Sequence, residues 1–276
     1  MSHDAKSTAV VDDNRGTDTR LKITGVGRDF HTKFGVTHAV SNVDLEIKRG
    51  EFVALIGRSG CGKTTLLRMI GGLLAPTSGT IEVDGKSLWG GNSVDASAIT
   101  KLGFVFQEAN LLPWFSVLDN IALPLKLRGV GKKQRRARAT ELAELVGLKG
   151  FERSYPRELS GGMRQRAAIA RALSTEPELL LMDEPFGALD ALTRERMNLE
   201  LQSIVMETNS TVVFVTHDIP EAVFLGDRVV QMTPRPGRIN KILPVDFAKP
   251  RDVDLQTSLE FNEIVRALRI ELDEEN

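Results

Sequence analysis

Cysteine is nearly absent. The 276 residues include one, Cys61, so an internal disulfide is excluded and a reducing, cytosolic setting is expected. Long apolar runs are absent too: no stretch approaches the ~20 residues that a membrane-spanning helix needs. Charge of one sign is also lacking. The 36 basic and 37 acidic residues leave a net charge of −1, which implies no bulk attraction to nucleic acid or to an acidic membrane. The opening MSHDAKSTAVVDDNRGTDTR has no apolar core for a signal peptide and reads as a disordered tail over residues 1–20. No internal repeat is visible.

The length fits one large domain, or one domain with a small subdomain. From Leu21 to Val53 the pattern is strand-like, with alternation in VSNVDLEI and a turn at KRGE. FVALI (52–56) is a continuous apolar strand that runs into GRSGCGKTT and then the helix LLRMIGGLL. Further strands are predicted at 79–86, 102–107, 179–182 and 210–218, with a helix from Thr193 to Glu207. Residues 108–165 are helical and more charged. Continuous apolar strands separated by helices predict an α/β fold with a parallel sheet covered on both faces. After TPRPGRI (233–239), a tail over 241–276 ends in an amphipathic helix. Thr257 and Glu260 are its expected capping box, and Phe261, Ile264, Leu268 and Leu272 its apolar stripe.

Gly57-Arg58-Ser59-Gly60-Cys61-Gly62-Lys63-Thr64 matches the phosphate-loop pattern G-x-x-x-x-G-K-[ST] in its strand–loop–helix context, with Thr65 following. The glycines let backbone N–H groups wrap a β-phosphate, Lys63 supplies a point charge, and the Thr64 hydroxyl can ligate Mg²⁺. The alternative is a glycine-rich turn before a helix. Cys61 occupies a variable position of the pattern. Its thiol is expected to face the loop's donors and Lys63, which would make it reactive in the free site. ELLLMDEP places Asp183 and Glu184 at the end of a buried strand, where carboxylates need a cation or donors. Neighbours on a strand point oppositely, so the two are expected to differ in role: Asp183 toward Mg²⁺ through water, Glu184 toward the attacking water. The alternative is a helix N-cap pair. Gln107 and His217 each follow an apolar strand, and alone each reads as readily as a satisfied strand-end residue. Ser160 begins a helix with Gly161 and Gly162, a second potential anion site.

Taken in order, the phosphate loop (Walker A), Gln107, LSGGMRQR (159–166), LLLMDE (179–184), ALD (188–190) and TH (216–217) resemble the ATP-binding subunit of an ATP-binding cassette (ABC) transporter. The resemblance runs from about residue 21 to 240. It implies a P-loop NTPase core with a mostly parallel sheet, an N-terminal antiparallel β-subdomain and an inserted helical signature subdomain at about 108–165. It implies ATP and Mg²⁺ as ligands. Glu184, His217 and Gln107 would serve catalysis, with Gln107 also at the metal and His217 at the γ-phosphate. It further implies a head-to-tail dimer, in which Ser160, Gly161, Gly162 and Gln165 cap the partner's nucleotide and Asp190 crosses the interface. An aromatic stacks on adenine in this family; Phe30 is favoured, with Phe34 nearby as the alternative.

The resemblance also ranks the function classes. Chromosome-maintenance ATPases insert coiled coils between phosphate loop and signature, and none is seen here. Translation factors carry two cassettes in one chain, and exporters often fuse a membrane domain. A lone cassette is the usual importer arrangement, peripheral at the cytoplasmic face of the inner membrane. FQEANLLPWFSVLDNI (106–121) is then the stretch facing a separate membrane permease near Gln107–Phe115, with local packing of the helical subdomain as the alternative. The basic run Arg128–Arg138 lacks interleaved aromatics and reads as a solvated helix face, not a nucleic-acid surface. FQEANLLPW and VFLGDRVVQMTPRPGRI are similar to the nitrate, sulfonate and taurine importer branch, which implies a solute-binding protein as an indirect partner. That branch also includes importers of thiamine precursors, and a non-transport ABC ATPase is the remaining alternative.

Overall fold

Two sheets of different make organise residues 18–33 and 35–274, the part of the chain that this computed structural model describes. The first is antiparallel and four-stranded, built from β1 (Thr19–Thr32), β2 (Gly35–Lys48), β4 (Ser78–Val83) and β5 (Lys86–Ser87) in the order β2-β1-β4-β5. The second is six-stranded: β3 (Phe52–Gly57), β8 (Leu102–Val105), β9 (Leu179–Asp183), β10 (Thr211–Val215), β11 (Arg228–Met232) and β12 (Ile239–Pro244). Its order is β12-β11-β3-β10-β9-β8, parallel throughout except for β12. A short hairpin pairs β6 (Trp89–Gly90) with β7 (Ser93–Val94).

Alternation along the parallel strands splits the interior into two cores. Phe52, Ala54 and Ile56 face the helices α3 (Val117–Leu127), α4 (Lys132–Leu145), α5 (Gly161–Leu173), α6 (Ala191–Thr208), α7 (Ile219–Leu225) and α8 (Leu259–Glu274). Val53 and Leu55 face the other way, toward α1 (Lys63–Ile70), the small α2 (Ala96–Ile99) and the antiparallel sheet. Every residue of β3, β9 and β10 is buried, which is why these strands lack a polar face. Each fully buried Leu or Phe contributes ~2 kcal/mol of transfer free energy. Helix α1 thus lies between two sheets, and the phosphate loop before it is held from both sides.

Several boundaries differ from the sequence reading. Residues 1–17, most of the tail read over 1–20, lie outside the described residues, but Thr19 and Arg20 already belong to β1. Arg20 is buried, and its guanidinium bridges Asp84 and Glu178. Helix α6 starts at Ala191, two residues before Thr193, because Asp190 caps it by accepting from Thr193 N at 3.0 Å. At the other end, Thr257 is not the cap of α8. It closes a 3-10 turn, donating to Asp254 O at 2.7 Å, and Ser258 caps α8 by accepting from Phe261 N at 3.2 Å. The stripe does pack: Phe261 and Leu268 are buried, with Ile264 and Leu272 against the same core and Val265 added to it. Ahead of α8, the buried Arg251 guanidinium donates to the carbonyls of Val223, Phe224 and Gly226, each at 2.9 Å, and so ties the extension to α7.

Candidate active site

The residues singled out for chemistry gather at the carboxyl ends of the parallel strands. Strand β3 ends at Gly57, whose φ is +154° and where an added Cβ would meet Cys61 Sγ and Met232 O at 2.8 Å. Gly62, at φ +105°, caps α1 with no side-chain hydrogen bond, and no acidic residue occupies the first turn. The helix start therefore offers backbone N–H groups to an anion. Lys63 Nζ arches back over the loop and donates to Gly57 O at 2.7 Å and Arg58 O at 3.2 Å. Cys61 departs from its expectation. It is 1% exposed and packed in the core between the sheets, so its thiol is buried.

Thr64 Oγ1 donates to Asp183 Oδ1 at 2.8 Å, joining the phosphate loop to the end of β9. Asp183 is 6% exposed, and burial pushes its carboxyl above the ordinary range while the Thr64 bond pulls the other way. A buried carboxylate beside a hydroxyl is an oxygen donor set that fits a hard divalent cation. Glu184 diverges from Asp183 for a reason other than strand alternation: the strand has ended, and Glu184 takes a left-handed φ of +44°. His217 Nδ1, just past β10, donates to Glu184 Oε2 at 3.0 Å. Phosphate loop, Gln107 and Glu184 line one cleft of about 400 Å³, and Phe30, Thr37, Ala39 and Arg235 complete its wall. That volume suits a nucleotide-sized ligand. Phe30 is partly exposed, with the Arg28 guanidinium 4.9 Å from its ring centre; Phe34 lies outside the described residues.

The signature stretch lies apart from this cleft. Ser160 caps α5, accepting from Met163 N at 3.3 Å, and is exposed together with Gly161. Gly162 is buried, and a Cβ there would press Thr193 Cγ2 at 3.2 Å. None of the three lines the first cleft; Gly161 borders a second one with Gln107, Leu111, Pro185 and Leu189. Gln165, grouped with the partner-facing residues, is instead 4% exposed and donates to Phe106 O at 3.2 Å within its own chain. It couples α5 to the backbone just before Gln107. Asp190 is exposed, and both its carboxylate oxygens hold Thr193.

The apolar stretch after Gln107 is less open than its sequence implies. Only Trp114 is strongly exposed, at 67%, while Leu111, Leu112 and Phe115 are partly buried. Buried Asn120 organises the loop: its Oδ1 accepts from Leu112 N, and its Nδ2 faces the carbonyls of Leu112, Phe115 and Ser116. Sequence reasoning missed Asn120, Thr37, Ala39 and Arg235. Arg235 and Asn120 left a trace, in TPRPGRI and FQEANLLPWFSVLDNI, but neither was assigned a role.

A family profile described as ABC transporter matches residues 40–187. A taurine import ATP-binding protein of Rhizobium johnstonii is 49% identical over 230 residues, covering 83% of this chain and 85% of its own. A nitrate import ATP-binding protein of Synechocystis sp. is 46% identical over 227 residues, covering 82% and 83%. Among solved structures, a dimeric ATP-binding cassette in a post-hydrolysis state, bound to ADP and Pi, superposes with a TM-score of 0.72 at 36% identity. It covers 83% of this chain and 100% of that one. With these likenesses laid over the cleft, the chain belongs to the ABC transporter family, as one of its ATP-binding, ATP-hydrolysing subunits.

Proposed function

We propose that this subunit powers import of a small solute of the nitrate, sulfonate or taurine class through a separate membrane permease, working as a head-to-tail dimer. One observation carries the dimer reading: the phosphate loop, Gln107 and Glu184 share a cleft that Ser160, Gly161 and Gly162 do not line. The exposed end of α5 is then free to face a nucleotide held by a second copy. The importer reading draws on the taurine, nitrate and sulfonate relatives. Trp114 and the loop around Asn120 form the surface offered to the permease, and a solute-binding protein takes part indirectly. Among the described residues no helix is long and apolar enough to cross a membrane. In this reading, drawn from the importer relatives, the chain sits peripherally beneath the permease at the cytoplasmic face.

Backbone N–H groups from Gly57 to Gly62 cradle the β-phosphate, with Thr65 beside the α-phosphate, and Lys63 pairs with the terminal phosphates. Thr64, Gln107 and, through water, Asp183 would hold Mg²⁺. When bound, that ion would supply positive charge against the phosphates. Phe30 supports adenine. Glu184 takes a proton from the attacking water as its oxygen bonds to the γ-phosphorus and the bond to the ADP oxygen breaks. His217, fixed against Glu184 through Nδ1, has its other ring nitrogen for the γ-phosphate. From the partner, Ser160 and the N–H groups of Gly161 and Gly162 meet the same developing charge, and Asp190 lies at the interface. Gln165 positions Gln107 from within the chain.

Two linked dimers test the arrangement. One carries Lys63→Ala in one subunit and Ser160→Arg in the other; the second carries both changes in one subunit. If signature and phosphate loop meet across the dimer, the first keeps one intact site and the second keeps none. Single-turnover hydrolysis should favour the first. Faster hydrolysis by the second would place both parts of a site in one subunit.

A further inference from the structure

The segment 233–238 after β11 has no assigned role in nucleotide chemistry, yet it is fastened to the nucleotide cleft at three points. Strand β11 pairs Met232 with Gly57, so the chain leaves the sheet beside the start of the phosphate loop. The segment then closes on itself, Thr233 N donating to Arg238 O at 2.9 Å and Arg238 N to Thr233 Oγ1 at 3.1 Å. At its far side Gly237 N donates to Ala39 O at 3.0 Å, and Gly237 O accepts from Ser41 N at 2.9 Å, which joins it to β2. A Cβ on Gly237 would fall 1.9 Å from Cys61 O, so only glycine allows the turn to pass this close to the phosphate loop. The third point is Arg235, whose Nε donates to Gly60 O at 2.9 Å.

This last bond sets the guanidinium over the loop that holds the phosphates, and Arg235 lines the same cleft as Lys63, Thr64 and Glu184. Among the described residues it is the one hydrogen bond the guanidinium makes, and it uses one of five N–H donors. The N–H groups on Nη1 and Nη2 are left for a ligand. Elsewhere in the cleft Lys63 is directed to two backbone carbonyls, and Glu184 is acidic. A guanidinium, with its positive charge and planar pair of donors, matches phosphate oxygens in both charge and shape. Stacking on Phe30 is already served by Arg28.

We infer that Arg235 is a nucleotide-binding residue: it contacts the phosphates of bound ATP and ADP from outside the phosphate loop, held in place by its bond to Gly60. The inference rests on the reading of this cleft as the ATP site. Binding of ADP and of a non-hydrolysable ATP analogue to the full chain, measured by calorimetry, tests it. Arg235→Ala should weaken both about tenfold at low salt, with the melting temperature of the nucleotide-free protein unchanged. The ratio between wild type and variant should shrink toward one at ~0.5 M salt, since an exposed charge contact is screened. Arg235→Lys should recover part of the loss. Unchanged affinity, or a salt-independent loss together with a lower melting temperature, would overturn the inference and leave Arg235 a staple for the turn. Lys63→Ala serves as the parallel control. If it binds nucleotide as well as wild type, the ATP reading of the cleft fails and the inference with it. If Lys63→Ala loses binding while Arg235→Ala does not, only the role of Arg235 fails.

Discussion

At the amino ends of the parallel strands several cations crowd one carboxylate; at the carboxyl ends Arg194 pairs with Asp218 at 2.8 Å, but Lys63 and Asp183 each bond to neutral groups. Before β3, β8 and β9, the cations Arg20, Arg49 and Lys101 converge on Asp84 at 2.6, 2.7 and 2.6 Å, with Glu178 beside them. Arg228 meets Glu51 at 2.5 Å and Lys249 meets Asp227 at 2.6 Å, before β3 and β11. At the carboxyl ends Lys63 is bonded to carbonyls, and Asp183 receives a hydroxyl where Asp84 receives three cations. Two aspartates show the consequence. Burial pulls both upward, but the Lys101 bond and the Arg20, Arg49 and Lys101 charges outweigh it at Asp84 and hold that carboxyl low, while Asp183 stays raised. One end is neutralised internally and binds the two sheets together. The other keeps donors and acceptors for a ligand, where open α/β sheets generally bind theirs.

Glu184→Gln should break the comparison most sharply. At the carboxyl end it should slow hydrolysis by ~10²–10⁴ while ATP binding persists, so that an ATP-bound dimer accumulates in size-exclusion runs. Near-normal single-turnover rates would move the base role to another residue. Glu221, behind the same site, gives the next largest effect. Its carboxylate accepts from Thr216 Oγ1, and burial pushes its pKa to about 7, with Asp218 and Glu184 adding to the rise and Thr216 and Arg194 opposing it. The native protein therefore keeps a proton that the unfolded chain loses near pH 4.5. Stability should fall as pH rises between ~4.5 and ~7 and level off above, by at most ~3 kcal/mol. Glu221→Gln keeps an acceptor for Thr216 and should flatten that slope in urea unfolding at pH 5 and pH 8. A variant with the wild-type slope would show that Glu221 ionises freely.

The amino end should respond in stability and not in turnover. Asp84→Asn leaves three cations around a neutral amide. It should cost ~2 kcal/mol, below the usual range for a broken buried pair because Arg49 and Lys101 are about 40% exposed. Hydrolysis per folded molecule should stay near wild type; a large fall in kcat would mean that the sheet junction positions the cleft. This asymmetry also explains what the sequence disclosed. The phosphate loop, the Asp183–Glu184 pair and the start of α5 are local patterns, in which glycines, a cap or a strand end set the geometry within a few residues. The Arg20–Asp84–Glu178 cluster joins residues far apart in the chain and leaves no period to read. Arg251 and Gln165 are similar: polar residues of exposed type, buried only because distant carbonyls accept from them. At Glu184 the geometry differs from the expectation, since strand alternation does not anticipate a left-handed turn.

Cys61 should give the smallest effect, and it separates the backbone of the phosphate loop from its side chains. Within Gly57–Thr64, Gly60, Cys61, Gly62 and Lys63 all border the cleft, but the Cys61 side chain is buried in the core between the sheets. Its Sγ lies 3.9 Å from Lys63 Nζ, yet a buried thiol behaves first as a small apolar group. Cys61→Ala should then leave the affinity for ATP within about twofold and lower stability by ~1 kcal/mol, the cost of a small core truncation. Alkylation of the wild-type thiol should be slow in buffer and should accelerate with urea, tracking the fraction of molecules that open. Rapid labelling of the native protein that ATP blocks would instead place the thiol in the cleft. That result would also weaken the assignment of phosphate binding to backbone N–H groups alone at this part of the loop.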